Sequence, residues 1–336
     1  MLSRGTPQGA DPSEADRMAR YGLQLPDFGW ITSNPAKESL PRLRELVQAG
    51  EAAGFSSFWV MDHFLQLPPL GGPSAPILEA YTTLGAIAAC TAHAELGAMI
   101  TGVTYRNPAL VAKQVTTLDV LSGGRATLGI GAAWYEVEHS ALGFAFPKIK
   151  ERFERLEEAV QICRRMFTEP AAKFEGRFYS VREAHNVPPP IRPGGPPIMI
   201  GGSGEKKTLR LVAKYADACN IVGRPETVVH LLGVLDRHCR ELGRDPKQIR
   251  RTRLGSLFVC DTEAQAEGLR RMLAGSGDPN RPVALEQFTI GTPERVLDEV
   301  RALVHTGLDD VIFNVPGLRD PAHLTRVAAL LREACG

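Results

Sequence analysis

Charge of one sign is scarce in this chain. Its 336 residues carry 39 Lys and Arg against 38 Asp and Glu, a formal net charge of +1. No block of like charges forms the basic face or stripe that nucleic-acid binding needs, so no nucleic-acid partner is expected. The six cysteines, Cys90, Cys163, Cys219, Cys239, Cys260 and Cys335, are scattered without a C-x-x-C pair or zinc-ligand spacing. They read as small buried or indifferent thiols, and no metal is expected. Apolar runs are short: Leu84–Cys90 falls far below the roughly 20 residues that cross a bilayer, so no membrane partner is expected either. Met1–Arg20 is polar, with Pro, Gly and mixed charges and no apolar h-region of a secretory signal. We expect a cytoplasmic protein with a flexible tail over 1–20 and one domain over 21–336. G-x-S-x-G, P-loop and H-E-x-x-H motifs are missing.

What the chain has is rhythm. Short apolar, β-prone runs at Tyr21–Leu25, Ser57–Met61, Leu96–Ile100, Ala126–Ile130, Ile198–Ile200, Ala218–Val222, Arg253–Cys260 and Asp310–Val315 alternate with stretches of helical periodicity. The helices include Ser39–Ala53, Leu78–Cys90, Lys150–Phe167 and Pro225–Leu242. Another opens at Asn107-Pro108 and stops at Ser122-Gly123-Gly124, a cap with Pro at the first position and a glycine stop. A Gly-led loop after the fourth run and the proline-dense segment Glu169–Pro197, with a hairpin-like Lys173–Tyr179, read as insertions after strand four and helix four. Eight strands, each followed by helix, predict an α/β protein built as a single (β/α)8 TIM barrel. The rival is an open doubly wound sheet, but no G-x-G-x-x-G follows the first strand.

In such a barrel the chemistry gathers where strands end. Strand two ends in Met61-Asp62-His63-Phe64, and a histidine at that mouth can take or give a proton near neutral pH. Strand three ends in Thr101-Gly102, a small hydroxyl beside open backbone that suits a planar ring. Strand four ends in Gly131-Ala132-Ala133-Trp134-Tyr135, small residues followed by possible aromatic walls. Strand five runs into Gly201-Gly202-Ser203-Gly204 ahead of Lys206 and Lys207, where free amides at a helix start make an anion site. His139 beside Glu138, His230, His238 and His305 have no partners at metal spacing and are expected on the surface.

These stations in this order resemble the bacterial-luciferase-like superfamily, and in particular its F420-dependent oxidoreductase branch. The matching text is Leu23-Gln24-Leu25-Pro26, Met61-Asp62-His63-Phe64, Leu96 through Arg106-Asn107-Pro108, Leu121-Ser122-Gly123-Gly124-Arg125, Gly129 through Glu136, and Ile200 through Gly204 leading to Tyr215-Ala216-Asp217. The resemblance spans nearly the whole chain from Tyr21. It implies a TIM barrel with the deazaflavin F420, or alternatively FMN, at its C-terminal face, and a homodimer. Asp62 and His63 would lie beside the ring and be the catalytic pair, with His63 oriented by Asp62 or by backbone. Met99, Ile100, Thr101 and Gly102 would support the ring, with a non-prolyl cis bond at Met99–Ile100. Gly131, Ala132, Ala133 and Trp134 would line the cofactor, and Gly201, Gly202, Ser203 and Gly204 would hold its phosphate. Some F420 dehydrogenases of this superfamily carry a carboxylate in the strand-four loop as a proton acceptor; this chain has Trp134 there, with Glu136 and Glu138 later, which counts against a sugar-phosphate substrate. The reading is hydride transfer between F420 and a small organic substrate. The alternatives are an FMN-dependent monooxygenase using reduced flavin and O2, and a barrel that binds F420 or a ligand without turnover.

Overall fold

A computed structural model describes residues 18–31, 35–275, 285–318 and 320–336. The expected tail over 1–20 lies almost wholly outside the described residues, and the first strand opens at Arg20. The alternating runs become strands β1 (Arg20–Leu25), β2 (Ser57–Val60), β3 (Glu95–Ala98), β4 (Thr101–Gly102), β5 (Leu128–Gly131), β8 (Ile198–Gly201), β9 (Ala218–Ile221), β10 (Arg250–Val259) and β12 (Asp310–Asn314). All pair in parallel, in the order β3-β2-β1-β12-β10-β9-β8-β5-β4. Strands β3 and β4 are two halves of one barrel strand, so the two ends of that order meet. A bridge between Leu96 of β3 and Ala126, just ahead of β5 (Leu128–Gly131), closes the ring, and the result is a (β/α)8 barrel.

Side-chain alternation fills both sides of this wall. Trp59, Met99, Met199, Ala218 and Ile312 form an inner cluster, distinct from the outer one that holds Leu23, Phe58 and Val60 beneath the helices. The outer layer is α1 (Pro35–Ala52), α2 (Ala80–Cys90), α3 (Pro108–Ser122), α5 (Ile149–Thr168), α6 (Thr208–Tyr215), α7 (Pro225–Glu241), α9 (Pro293–Val304) and α10 (Pro321–Cys335). Helix α3 starts and stops as its sequence predicts. Asn107 accepts from the Ala109 amide at 2.9 Å, and Gly123 closes the helix at φ 72°. Helix α2 starts two residues later than its apolar pattern predicts because Glu79 caps it, accepting from Thr82 N.

The insertions are a short helix α4 (Glu136–Leu142) and an antiparallel hairpin of β6 (Ala172–Glu175) and β7 (Ser180–Ala184). The hairpin is longer than the pattern at Lys173–Tyr179 predicts. Its turn is tied down by the Glu158 carboxylate, which accepts from the amides of Arg177, Phe178 and Tyr179 at 2.8 to 3.0 Å. Two elements carry no signal strong enough to predict. They are helix α8 (Glu263–Gly275) and strand β11 (Phe288–Gly291), the latter extending the sheet beside the far half of β10. The third strand is also broken rather than continuous: residues 99 and 100 turn between its halves, and the Met99–Ile100 peptide is cis, at the bond the sequence singles out.

Candidate active site

The mouth formed by the C-terminal strand ends brings four of the predicted stations together. Asp62 leaves β2 and turns inward, 2% exposed. Its Oδ2 accepts from the Gly102 amide at 3.0 Å and from Arg106 Nη1 at 2.8 Å. Arg106 bonds Glu79 at 2.7 Å with its other nitrogen and lies between the Phe64 and Tyr81 rings. Burial raises the Asp62 carboxyl above the usual carboxylate range, with the Arg106 guanidinium and the Gly102 amide opposing it. Asp62 therefore ties β2 to the third strand. Its partners are Gly102 and Arg106, so neither Asp62 nor a backbone group, the two expected candidates, is the hydrogen-bond partner of the His63 ring.

The orienting group is Glu138 of α4. His63 Nδ1 lies 3.1 Å from Glu138 Oε1, which also accepts from Tyr105 Oη. Glu138 Oε2 accepts from the backbone amides of Phe64 and Leu65, the latter at 2.7 Å. Burial alone would raise this carboxyl, but the bonds from His63, Tyr105 and Leu65 outweigh it and hold the group below its ordinary value. The carboxylate thus faces Nδ1 of the ring, 3.1 Å away.

The expected surface position of His139 is corrected by the structure: it and its neighbour Glu138 are both 0% exposed. His139 is held by Thr104 Oγ1 and the Tyr135 carbonyl, each at 2.7 Å, and stacks on Tyr105 at 4.6 Å. In α4 the polarity is inverted, because apolar Val137 and Leu142 are exposed while the acid and the histidine are buried. Hydropathy alone places these residues the wrong way round. The usable signal is positional: a short helix that follows a barrel strand at the functional end.

Around this pair the remaining stations form a floor and a wall. Ile100 extends across the top of the inner cluster, and glycines make room for it. A Cβ on Gly201 would stand 2.6 Å from Ile100 Cγ1, and one on Gly131 would stand 3.1 Å from Ile100 Cγ2. The Met99 carbonyl accepts from Gln24 Nε2 at 2.8 Å. The Thr101 hydroxyl is engaged with Tyr81 Oη at 2.8 Å. Trp134, 46% exposed, stands edge-on to His63 with centroids 5.6 Å apart, and Tyr135 does so at 5.8 Å. The carbonyls of Ala132 and Ala133 are pinned by Arg152 at 3.3 and 2.5 Å, and Ala133 adopts φ 57°.

The glycine-rich loop lies between β8 and α6. Gly202 has φ 126°, a left-handed conformation that favours glycine, and its amide donates to Asn220 O at 2.9 Å. That amide is thus not among the free ones the sequence suggests. The Ser203 and Gly204 amides have no acceptor among the described residues, and the Ser203 hydroxyl accepts from Val222 N at 3.1 Å. Lys207 turns its ammonium over the Phe153 ring at 5.3 Å.

This architecture agrees with what is known of similar proteins. The luciferase-like monooxygenase family matches residues 20–310, and the chain belongs to it. An F420-dependent glucose-6-phosphate dehydrogenase of Kineococcus radiotolerans is 29% identical over 310 residues, 86% of this chain and 91% of that one. An F420-dependent hydroxymycolic acid dehydrogenase of Mycobacterium tuberculosis is 30% identical over 260 residues, 76% of this chain and 70% of the relative. Among solved structures, an F420-dependent secondary alcohol dehydrogenase in complex with an F420-acetone adduct superposes with a TM-score of 0.79. It shares 20% identity, with 95% of this chain and 99% of that chain covered.

Proposed function

We propose that this protein is an F420-dependent dehydrogenase that interconverts an alcohol and a carbonyl on a small organic substrate, with His63 handling the hydroxyl proton. The observation that carries this reading is the buried Glu138 carboxylate, held below its ordinary value, 3.1 Å from His63 Nδ1; with Nδ1 donating to that carboxylate, Nε2 is the nitrogen that takes the substrate's proton. The named relatives support the cofactor and the reaction class.

The residues present fit the cofactor. Gly201, Gly202 and Gly204 bring no side chain to the phosphate end, and the Ser203 and Gly204 amides remain to bond an anion there. Ile100, with Gly131 and Gly201 beneath it, offers an apolar floor for a flat ring, and Ala132, Ala133 and Trp134 line one side. Bound F420 supplies a two-electron hydride acceptor. The protein's part is to seat the alcohol so that, as its C–H bond breaks with the electron pair leaving, its O–H proton passes to His63 Nε2 and the C=O bond forms. Trp134 shields that transfer from water on the open side. A homodimer in the cytoplasm belongs to the same reading.

His63→Asn tests it. We expect kcat to fall by about 10² to 10⁴, the pH–rate limb contributed by His63 to vanish, and F420 affinity to change little in a fluorescence titration. An intact limb with affinity lost instead would leave His63 a packing residue. Titration with FMN beside F420 checks the cofactor, with F420 expected to bind the more tightly.

A further inference from the structure

Glu138 does more than fill space beside His63. Resting on the reading of His63 above, we infer that Glu138 is a positioning residue that decides which nitrogen of His63 bears the proton. Its four partners leave no freedom. Phe64 N and Leu65 N are permanent donors to Oε2. Tyr105 is a donor to Oε1, and its phenol is pushed up, first by burial and then by Glu138 itself, so it keeps its proton. The remaining approach to Oε1 is His63 Nδ1 at 3.1 Å, and only an N–H is favourable there. The other ionisable groups near the imidazole are Tyr135 edge-on and Asp62, whose Oδ2 is taken by Arg106 and the Gly102 amide. Glu136, on the same helix, is exposed. None of these competes for Nδ1.

The two backbone amides also dictate what a glutamine would do here. The oxygen of Glu138→Gln must stay at the Oε2 position to satisfy Phe64 N and Leu65 N. Its NH2 group then faces Nδ1 and Tyr105 Oη. Tyr105 can rotate its hydroxyl and accept, but Nδ1 must become an acceptor, which sends the imidazole proton to Nε2. The substitution therefore reverses the tautomer at nearly constant shape. His63 then meets the substrate with an N–H where alcohol oxidation needs a lone pair. The same logic makes the acid of a Ser-His-Asp triad essential without its ever taking the proton.

The test uses the full chain. With 15N-histidine labelling, the wild type is expected to show the His63 proton on Nδ1, and Glu138→Gln on Nε2. In the F420-loaded enzyme Glu138→Gln is expected to lower kcat by about 10² to 10⁴, with F420 affinity within about threefold. Nδ1–H retained in Glu138→Gln, or kcat retained there while His63→Asn loses it, would overturn the inference. The wild-type spectrum is a test that needs no variant, since a proton on Nε2 would overturn it even if Glu138→Gln failed to fold. The function has its own readout. A reversed tautomer in Glu138→Gln together with full activity in His63→Asn would uphold the positioning and remove His63 from catalysis.

Discussion

A carboxylate buried as completely as Glu138 is costly unless its oxygens are bonded, and here they accept from a ring nitrogen, a phenol and two amides. Those bonds favour the ionised form, so the folded-state value lies below the ordinary 4.5 that the unfolded chain has. A depressed carboxyl contributes stability that is complete above the unfolded value and is lost as pH falls through the folded one. The loss attributable to Glu138 should therefore begin near pH 4.5 and deepen below it. Asp62 works in the opposite sense. Its carboxyl is raised by burial, so acidification through its folded value relieves a cost rather than adding one. Urea denaturation at stepped pH should show a weaker acid-induced loss in Glu138→Gln than in the wild type. An identical pH slope in the two would mean that the carboxylate is not held as described. At this scale the sequence was partly legible. Asp62 and His63 stand out because they follow a strand at the functional end. Glu138 was hidden because a charged residue reads as solvated, and only the contacts reveal that it is buried with His139 while Val137 and Leu142 face out.

Elements were more legible than side chains, for a physical reason: strands and helices follow from periodicity and caps that a dozen residues specify together. Asn107 and Gly123 bound α3 as expected, and the eight barrel strands fall where the apolar runs lie. The failures are places where tertiary contacts override local pattern. At the break between β3 and β4, Ile100 packs against Gly131 and Gly201, which lie far away in sequence. Strand β11 is too short to announce itself and is defined by pairing with β10. The glycine loop after β8 joins both kinds of information. Gly202 was legible as a glycine that a loop would need, but its φ of 126° and its amide bond to Asn220 were not. Gly202→Val would add a side chain in a conformation that L-residues rarely adopt, with its Cβ 3.3 Å from Thr208 Cγ2 at the start of α6. The loop must shift, and the Ser203 and Gly204 amides shift with it. We expect F420 affinity to fall at least tenfold, about 1.4 kcal/mol, in a fluorescence titration. Unchanged affinity would remove this loop from the phosphate site.

Across the whole molecule the barrel separates function from stability along its axis. The mouth carries His63, Glu138 and the glycine loop, while the opposite end carries a cluster of charges. Arg20, Glu95, Arg250 and Asp310 are each the first residue of a strand, so the parallel sheet gathers them on the closed rim. Asp310 is 1% exposed and accepts from Arg20 Nε at 2.8 Å and from Arg250 Nε. Arg250 Nη1 reaches Glu95 at 2.5 Å, so one guanidinium joins β10 to β12 and, across the barrel base, to β3. A buried carboxylate that loses a partner is worse off than one that was never charged, which puts the cost of Arg250→Met at about 3–5 kcal/mol. Arg20 keeps only part of that cost down, because its side chain is 47% exposed and its contact to Glu95 is 4.0 Å. Among the described residues no bond of this cluster reaches His63, Glu138 or the glycine loop, so kcat and F420 affinity of Arg250→Met should match the wild type at a temperature where both are folded. Urea denaturation and steady-state rates on the same preparation decide the matter. His63→Asn should give the reverse pattern, with activity lost and the urea midpoint nearly kept. If Arg250→Met instead lost activity while keeping its urea midpoint, the two ends of the barrel would be coupled, and the rim charges would belong to the catalytic apparatus rather than to the frame.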